Sequence, residues 1–394
     1  MAWFTAKRFW AYVIAFILLA VFLVQFNPLS PRNVDNALTP ATTGNMTVIT
    51  RTNEFNKAKV NGSGKVNTDV TVALLLKNEI APRLERIRKI CGQLCKVDSA
   101  ASLAALITFK RSDKETLLLL PVRAHVDCPA ILTSEDIDAG EKSVPYPLPE
   151  QLHSLYSLNG AVEIIHWKRW TEGYLGKNAI VSNWTKALIE KTVHELERGA
   201  HHGTYGIERT NIVVNHLNVT GKILGSRVLV IGSEKPWLEA ICLLLGANEV
   251  VTLEYGKIVS SHPKIKTLTP AEFRKAYLSG KLGLFDTVAS FSSIEHSGLG
   301  RYGDALNPWG DLLAIARSWC VTKPGGALVL GLPTGMDKVV MNAHRIYGAV
   351  RWPLVAANWI QVDSELHNAS ELSDSTGDYH LQPVFVFEKL EGIK

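Results

Sequence analysis

The sequence predicts an α/β protein: a doubly wound, mostly parallel sheet over residues 221–394, preceded by a smaller α+β region over 69–220. Two observations carry this. From Gly225 onward, short β-branched runs alternate with amphipathic stretches, the pattern of a parallel sheet covered on both faces. Glycines, serines and carboxylates also follow the ends of those runs, where doubly wound sheets bind their ligands.

The elements follow in chain order. Residues 1–9 are short and basic, with Lys7 and Arg8, and residues 10–26 read WAYVIAFILLAVFLVQF without a charge. A run of that length sits at the short end of a membrane-spanning helix and suits the thinner bilayers of the early secretory pathway. The preceding positive charges keep the N-terminal tail cytosolic. The chain therefore reads as a type II, single-pass protein of the endoplasmic reticulum or Golgi with its bulk in the lumen. No small-residue cleavage site ends the run, so an anchor is favoured over a cleaved signal. Residues 27–68 are rich in Asn, Thr, Ser, Pro and Gly and read as a disordered stem. Five N-x-S/T sequons, at Asn45, Asn61, Asn183, Asn218 and Asn368, agree with luminal exposure.

Apolar positions at helical spacing (Leu74, Leu75, Ile80, Leu84, Ile87, Ile90, Leu94) predict a helix over 70–96. LAALITF and TLLLLPV, separated by Lys110-Arg111-Ser112-Asp113, predict two strands. The prolines of 143–150 predict an extended linker, and 184–198 a helix closed by Gly199. RVLVIG, NEVVTLEY, FDTVASF, ALVLGLP and PVFVFEKL then read as strands. PWLEAICLLLG, the stretch near Pro270–Leu278 and PWGDLLAIARSWC read as helices.

Of five cysteines, Cys242 and Cys320 fall on apolar helical patterns and read as buried free thiols. Cys91 and Cys95 stand four apart on one helix, a poor geometry for bonding each other; Cys128 with either is left open. The formal net charge is only +5 and is dispersed, which speaks against nucleic acid. His194-Glu195 with His201-His202 lacks the spacing of a zinc motif, and no metal site is expected.

The predicted ligand edge collects Gly232-Ser233, then Glu254, then Ser292-Ser293-Ile294-Glu295-His296. A glycine at 232 lets the backbone approach a ligand. A carboxylate about 20 residues on accepts hydrogen bonds from a ribose diol. A pyrophosphate would meet the carboxylate of Glu234 where dinucleotide sites have glycine, so a phosphate-free nucleoside fits better. VLVIGSE, VVTLEY, FDTVASFSSIEHSG and LAIARSWCVTKPGGALVLGLP resemble the successive motifs of class I S-adenosylmethionine-dependent methyltransferases. The string SSIEHSGLGRYGD with PWGD further resembles a domain-of-unknown-function family first described in Caenorhabditis. The glycine loop departs from the pattern by lacking its second and third glycines.

The resemblance implies a Rossmann-like domain over 221–394 with S-adenosylmethionine as cofactor, bound by Gly232, Ser233, Glu254, Ser292 and Ser293. Catalysis would fall to His296 as general base, with Asp304 as second candidate and Glu295 orienting His296 or touching the cofactor. Arg301 and Tyr302 would orient a polar acceptor, with His344 and Arg345 reaching the pocket from a later helix. Trp167 and Trp170 in HWKRW read first as core packing, with stacking on a sugar face as the alternative, and Trp237 packs over the sheet edge. The expected activity is methyl transfer to a hydroxyl, on a glycan or another hydroxyl-bearing acceptor. Two other readings compete. Asp136-Ile137-Asp138 matches the D-x-D of a type II glycosyltransferase, where it would hold a divalent metal. The degenerate glycine loop suits a non-catalytic module of the same fold.

Overall fold

In a computed structural model, the structure describes residues 68–96, 109–111, 117–119, 122–139, 145–167, 180–375 and 382–390. The expected anchor at 10–26, the stem up to residue 67, Asn45, Asn61, Trp170 and the LAALITF run before Phe109 lie outside them. Among the described residues, no helix is long and apolar enough to cross a membrane.

The first elements are helix α1 (Thr68–Leu75), a π turn (Leu76–Ile80), α2 (Ala81–Cys91) and a 3-10 turn (Gly92–Cys95). Strand β1 (Phe109–Arg111) takes up two residues of the expected polar turn and pairs antiparallel with β2 (Leu117–Leu119). Then come α3 (Cys128–Thr133), α4 (Glu150–Tyr156), β3 (Glu163–His166) and β4 (Ser182–Trp184). Helix α5 (Lys186–Glu197) starts where the Thr185 hydroxyl accepts from Leu188 N at 3.1 Å, a cap worth about 1 kcal/mol. Helix α6 (Ile207–Val219) leads into the sheet.

The sheet is built from β5 (Arg227–Ile231), β6 (Glu249–Leu253), β8 (Ile265–Leu268), β9 (Phe285–Phe291), β10 (Thr322–Gly331), β13 (Trp359–Ser364) and β14 (Val384–Lys389). Its helices are α7 (Trp237–Leu244), α8 (Pro270–Leu278), α9 (Gly310–Val321) and the short α10 (Trp352–Val355). Strands β7 (Ile258–Ser260), β11 (Lys338–Met341) and β12 (His344–Ile346) complete the chain.

The seven strands lie in the order β13-β14-β10-β9-β5-β6-β8. Strands β10, β9, β5, β6 and β8 run parallel; β14 is antiparallel to both its neighbours. This is the Rossmann-like sheet expected. The order reverses between β5 and β9, so their carboxyl ends flank a crevice.

Alternation along each strand builds a core on both faces. In β5, Val228 and Val230 pack with α5, α6 and α7 through Ile189, Leu196, Val213, Leu217 and Ile241. Leu229 and Ile231 face the other way, with Phe273, Leu312, Leu313 and Ile315, and with Ile80, Leu84 and Ile87 of the N-terminal helices. Fully burying a side chain of this size stabilises by about 1.5–3 kcal/mol.

The described residues from 68 onward belong to one compact unit. Strand β3 pairs parallel with β11, and β4 with β7, so residues before 221 are stitched into secondary structure after it. Two disulfides overturn the cysteine expectations. Cys91 bonds Cys95, because Gly92 leaves the helix at φ +56° and brings the two Cα atoms to 5.5 Å. Cys320, expected free, bonds Cys128 across 192 residues. Cys242 is free and buried.

Candidate active site

Every cofactor-binding and catalytic residue expected from sequence borders one cavity of about 260 Å³ at the crevice. Gly232 and Ser233 follow β5, Glu254 follows β6, and Ser292, Ser293, Glu295 and His296 follow β9.

Gly232 takes φ +75°, and a Cβ there would lie 1.6 Å from Ser293 Oγ. Only glycine lets the β5 and β9 loops close this tightly. Ser233 N donates to Glu254 Oε2 at 2.6 Å, and Tyr255 N to Oε1 at 2.5 Å. The carboxylate is thus held with both oxygens at the rim, and each keeps lone-pair capacity for a further donor.

Sequence reasoning missed the group beneath this loop. Glu239 on α7 is fully buried and accepts from Thr252 Oγ1 at 2.8 Å. Ser233 Oγ lies 2.9 Å from Lys235 O and 3.0 Å from Glu239 Oε2. One hydroxyl proton cannot serve both acceptors, and a protonated Glu239 supplies the second. Burial pushes its carboxyl up to about 7, in agreement. The glutamate braces from below a loop that lacks two glycines. Its only sequence signal is a carboxylate inside the apolar run PWLEAICLLLG.

A pH signature follows. The folded-state value lies above the ordinary 4.5. Glu239 therefore favours folding fully below that ordinary value, and loses this contribution as pH rises through about 7. An E239Q variant is expected to match wild type in urea unfolding near pH 4.5 and to exceed it by about 3 kcal/mol at pH 8. A difference independent of pH would refute the neutral carboxyl.

The β9 loop carries the reactive side chains. Ser292 sits at φ +50°, a backbone cost of order 1 kcal/mol for a non-glycine residue. Its hydroxyl lies 2.5 Å from Tyr205 OH, receives Gln382 Nε2 at 3.0 Å and reaches Glu295 Oε1 at 3.0 Å. Glu295 is buried, its Oε2 has no partner, and burial pushes its carboxyl up to about 7. His296 Nδ1 lies 2.5 Å from Ala343 O, so that nitrogen carries the proton and Nε2 keeps the lone pair. Nε2 is 3.6 Å from Glu295 Oε1. Burial first, then Arg301, pushes the imidazole down to about 3, and it is neutral at ordinary pH.

Asp304 lines the cavity, but its carboxylate accepts from Gly298 N at 2.7 Å, Tyr302 N at 3.2 Å and Gly300 N at 3.3 Å. It shapes its own loop. Tyr156 OH donates to Gly298 O at 2.7 Å and Arg83 Nη2 to Leu306 O at 2.9 Å, so the N-terminal helices brace that loop as well.

His344 borders the cavity, from strand β12 rather than from the helix expected. Arg345, expected there too, does not border it and is fully buried. Its Nη1 donates to Ser297 O at 2.6 Å, fixing the loop from behind. Trp237 is buried and edge-on to Phe291 at 5.6 Å, a packing role. Tyr205, Tyr255 and Gln382 also border the cavity and carried no signal. The D-x-D reading loses its support: Asp136 pairs with Arg86 at 2.7 Å, and Asp138 with Arg317 at 2.6 Å. Among the described residues, no group of three or more His, Cys, Asp or Glu is placed to hold a metal ion.

Residues 225–382 match the family described as Caenorhabditis protein of unknown function, DUF268. No curated protein matches the chain. Similar solved structures include 1,6-didemethyltoxoflavin-N1-methyltransferase of Burkholderia thailandensis with S-adenosylhomocysteine, at 12% identity and TM-score 0.33, covering 72% of this chain and 99% of that one. The N-methyltransferase NodS of Bradyrhizobium japonicum, with the same ligand, is 14% identical at TM-score 0.30, covering 51% and 99%. A protein described as a hemolysin from Lactococcus lactis is 17% identical at TM-score 0.25, and covers 32% of this chain. The chain spans 56% of that protein's length and 66% of a similar one from Streptococcus thermophilus. Likenesses at this level fix neither reaction nor substrate.

Proposed function

We propose that the chain is an S-adenosylmethionine-dependent methyltransferase acting on a hydroxyl of a glycan. We further propose that residues 10–26 anchor it in the endoplasmic reticulum or Golgi membrane, with the catalytic part in the lumen. The observation that carries the reaction is the meeting of Gly232, Glu254 and His296 around one cavity at the switch point. The lining chemistry fits the cofactor: Glu234 and Glu254 suit a sulfonium cation and oppose a pyrophosphate. Two disulfides support an oxidising compartment. Exposed sequons at Asn183, Asn218 and Asn368 agree with it.

The cofactor, when bound, supplies an electrophilic methyl group. Glu254 would hold the ribose hydroxyls, and Gly232 and Ser233 would line the nucleoside. His296 Nε2 takes the proton of the acceptor hydroxyl, while Ala343 O holds the ring by its other nitrogen. The imidazolium is disfavoured by burial and by Arg301, so the proton passes on to Glu295, whose neutral form burial favours.

Calorimetry of the full chain with S-adenosylhomocysteine tests the proposal. Folded protein giving no heat at millimolar ligand points instead to a non-catalytic module. For the proton path, the rate of tritiated methyl transfer to a pool of released glycans should rise with pH through about 7 as Glu295 ionises. E295Q should lower it roughly a hundredfold and flatten the pH dependence; a retained limb would exclude Glu295.

A further inference from the structure

Arg301 lines the cavity beside His296 and Tyr302. Its guanidinium carbon lies 5.1 Å from the Tyr302 ring centroid. Its Nη1 approaches His296 Nδ1 at 3.3 Å. That ring nitrogen already donates to Ala343 O and cannot accept a second proton. Arg301 Nε is buried without a partner. Among the described residues, no ion pair joins this guanidinium to a carboxylate. A permanently charged group with five donors thus borders the cavity with no carboxylate partner among the described residues.

A second feature belongs to the same cavity. Trp167, at the end of β3, borders it and is 41% exposed. Its backbone N–H meets Met341 O at 3.4 Å, tying the position to β11. A part-exposed indole bordering a cavity offers a flat apolar face with a polar edge, which suits the C–H face of a sugar ring. Glu254 is engaged by Ser233 N and Tyr255 N, and Asp304 by Gly298 N, Gly300 N and Tyr302 N; no cavity carboxylate among the described residues pairs with Arg301.

We propose that the acceptor is an acidic sugar, its ring laid against Trp167 and its carboxylate or sulfate held by Arg301. This rests on the assignment of the His296 end of the cavity to the acceptor. An oxyanion from the other source, the methionyl carboxylate of the cofactor, is the outcome that the test excludes.

The full chain is titrated with D-glucuronate and with D-glucose, with and without saturating S-adenosylhomocysteine. S-adenosylhomocysteine is compared in parallel with its decarboxylated analogue. Wild type should bind glucuronate roughly tenfold more tightly than glucose, the scale of one charge-assisted contact. R301Q should reduce the ratio to about one and leave S-adenosylhomocysteine within about threefold of wild type, whereas R301K should keep part of the preference. W167A should weaken both sugars alike. Equal affinities, no binding of either sugar to wild type, or a preference surviving R301Q would overturn the proposal. So would an R301Q loss of S-adenosylhomocysteine affinity as large as that caused by removing the carboxylate. The arms without cofactor separate the two failures: sugar preference without S-adenosylhomocysteine binding would reject the methyltransferase reading and keep the subsite.

Discussion

An E254A variant is expected to bind S-adenosylhomocysteine at least a hundredfold more weakly than wild type, with the fold retained. Two charge-assisted hydrogen bonds to a ribose diol contribute about 3 kcal/mol or more in a partly dry site. The substitution also leaves Ser233 N and Tyr255 N without their acceptor, which loosens the loop on which the nucleoside rests. E254Q separates the two effects. It keeps one oxygen for a backbone donor but loses the charge, and should fall about tenfold. Calorimetry reads both, with circular dichroism as the check on folding. Unchanged affinity in folded E254A would remove the ribose assignment.

The largest stability effect is expected at Asp311. The carboxylate is fully buried on α9 and receives Arg351 Nη2 at 2.5 Å, Arg351 Nε at 2.7 Å and Tyr347 OH at 3.1 Å. Arg345 Nε stands 3.6 Å away. Burial alone would raise this carboxyl, but Arg345 and Arg351 together outweigh it and hold it below the ordinary value. Replacing it leaves two buried guanidinium groups without an anion, a loss of about 3–5 kcal/mol. D311A and D311N should both show that loss in denaturant midpoint at unchanged slope. They should also impair cofactor-independent sugar binding, because Arg345 holds the carbonyl of Ser297 in the β9 loop. A loss below about 1 kcal/mol would mean that water or a rearranged partner satisfies the arginines.

The sequence made the site legible where one residue sufficed to place it. A strand pattern fixes where a carboxyl end falls, so Gly232, Glu254 and His296 could be assigned to one edge from spacing alone. What stayed hidden depends on pairs distant in the chain. Cys128 and Cys320 meet because α3 packs on α9. Tyr205 and Gln382 converge on Ser292 from α6's approach and from the end of the chain. Glu239 looks like any polar residue of a helix until Thr252 and Ser233 are seen above it. For Cys91 and Cys95 the signal was present in Gly92, which ends the helical geometry that argued against their bond. Strand β12 was missed because buried His344 and Arg345 break the apolar pattern by which strands are read.

Strand β14 occupies residues 384–389, just past the 225–382 segment that sequence comparison detects, yet it lies between β10 and β13. A fragment trimmed to the detected segment would carry an empty lane through its sheet, about two strand spacings of 4.8 Å wide, with unpaired amides on both banks. The stretch that marks kinship is therefore shorter than the stretch that can stand up mechanically. Any domain excised for study must reach at least to Leu390, whose N–H closes on Asn358 O at 3.1 Å.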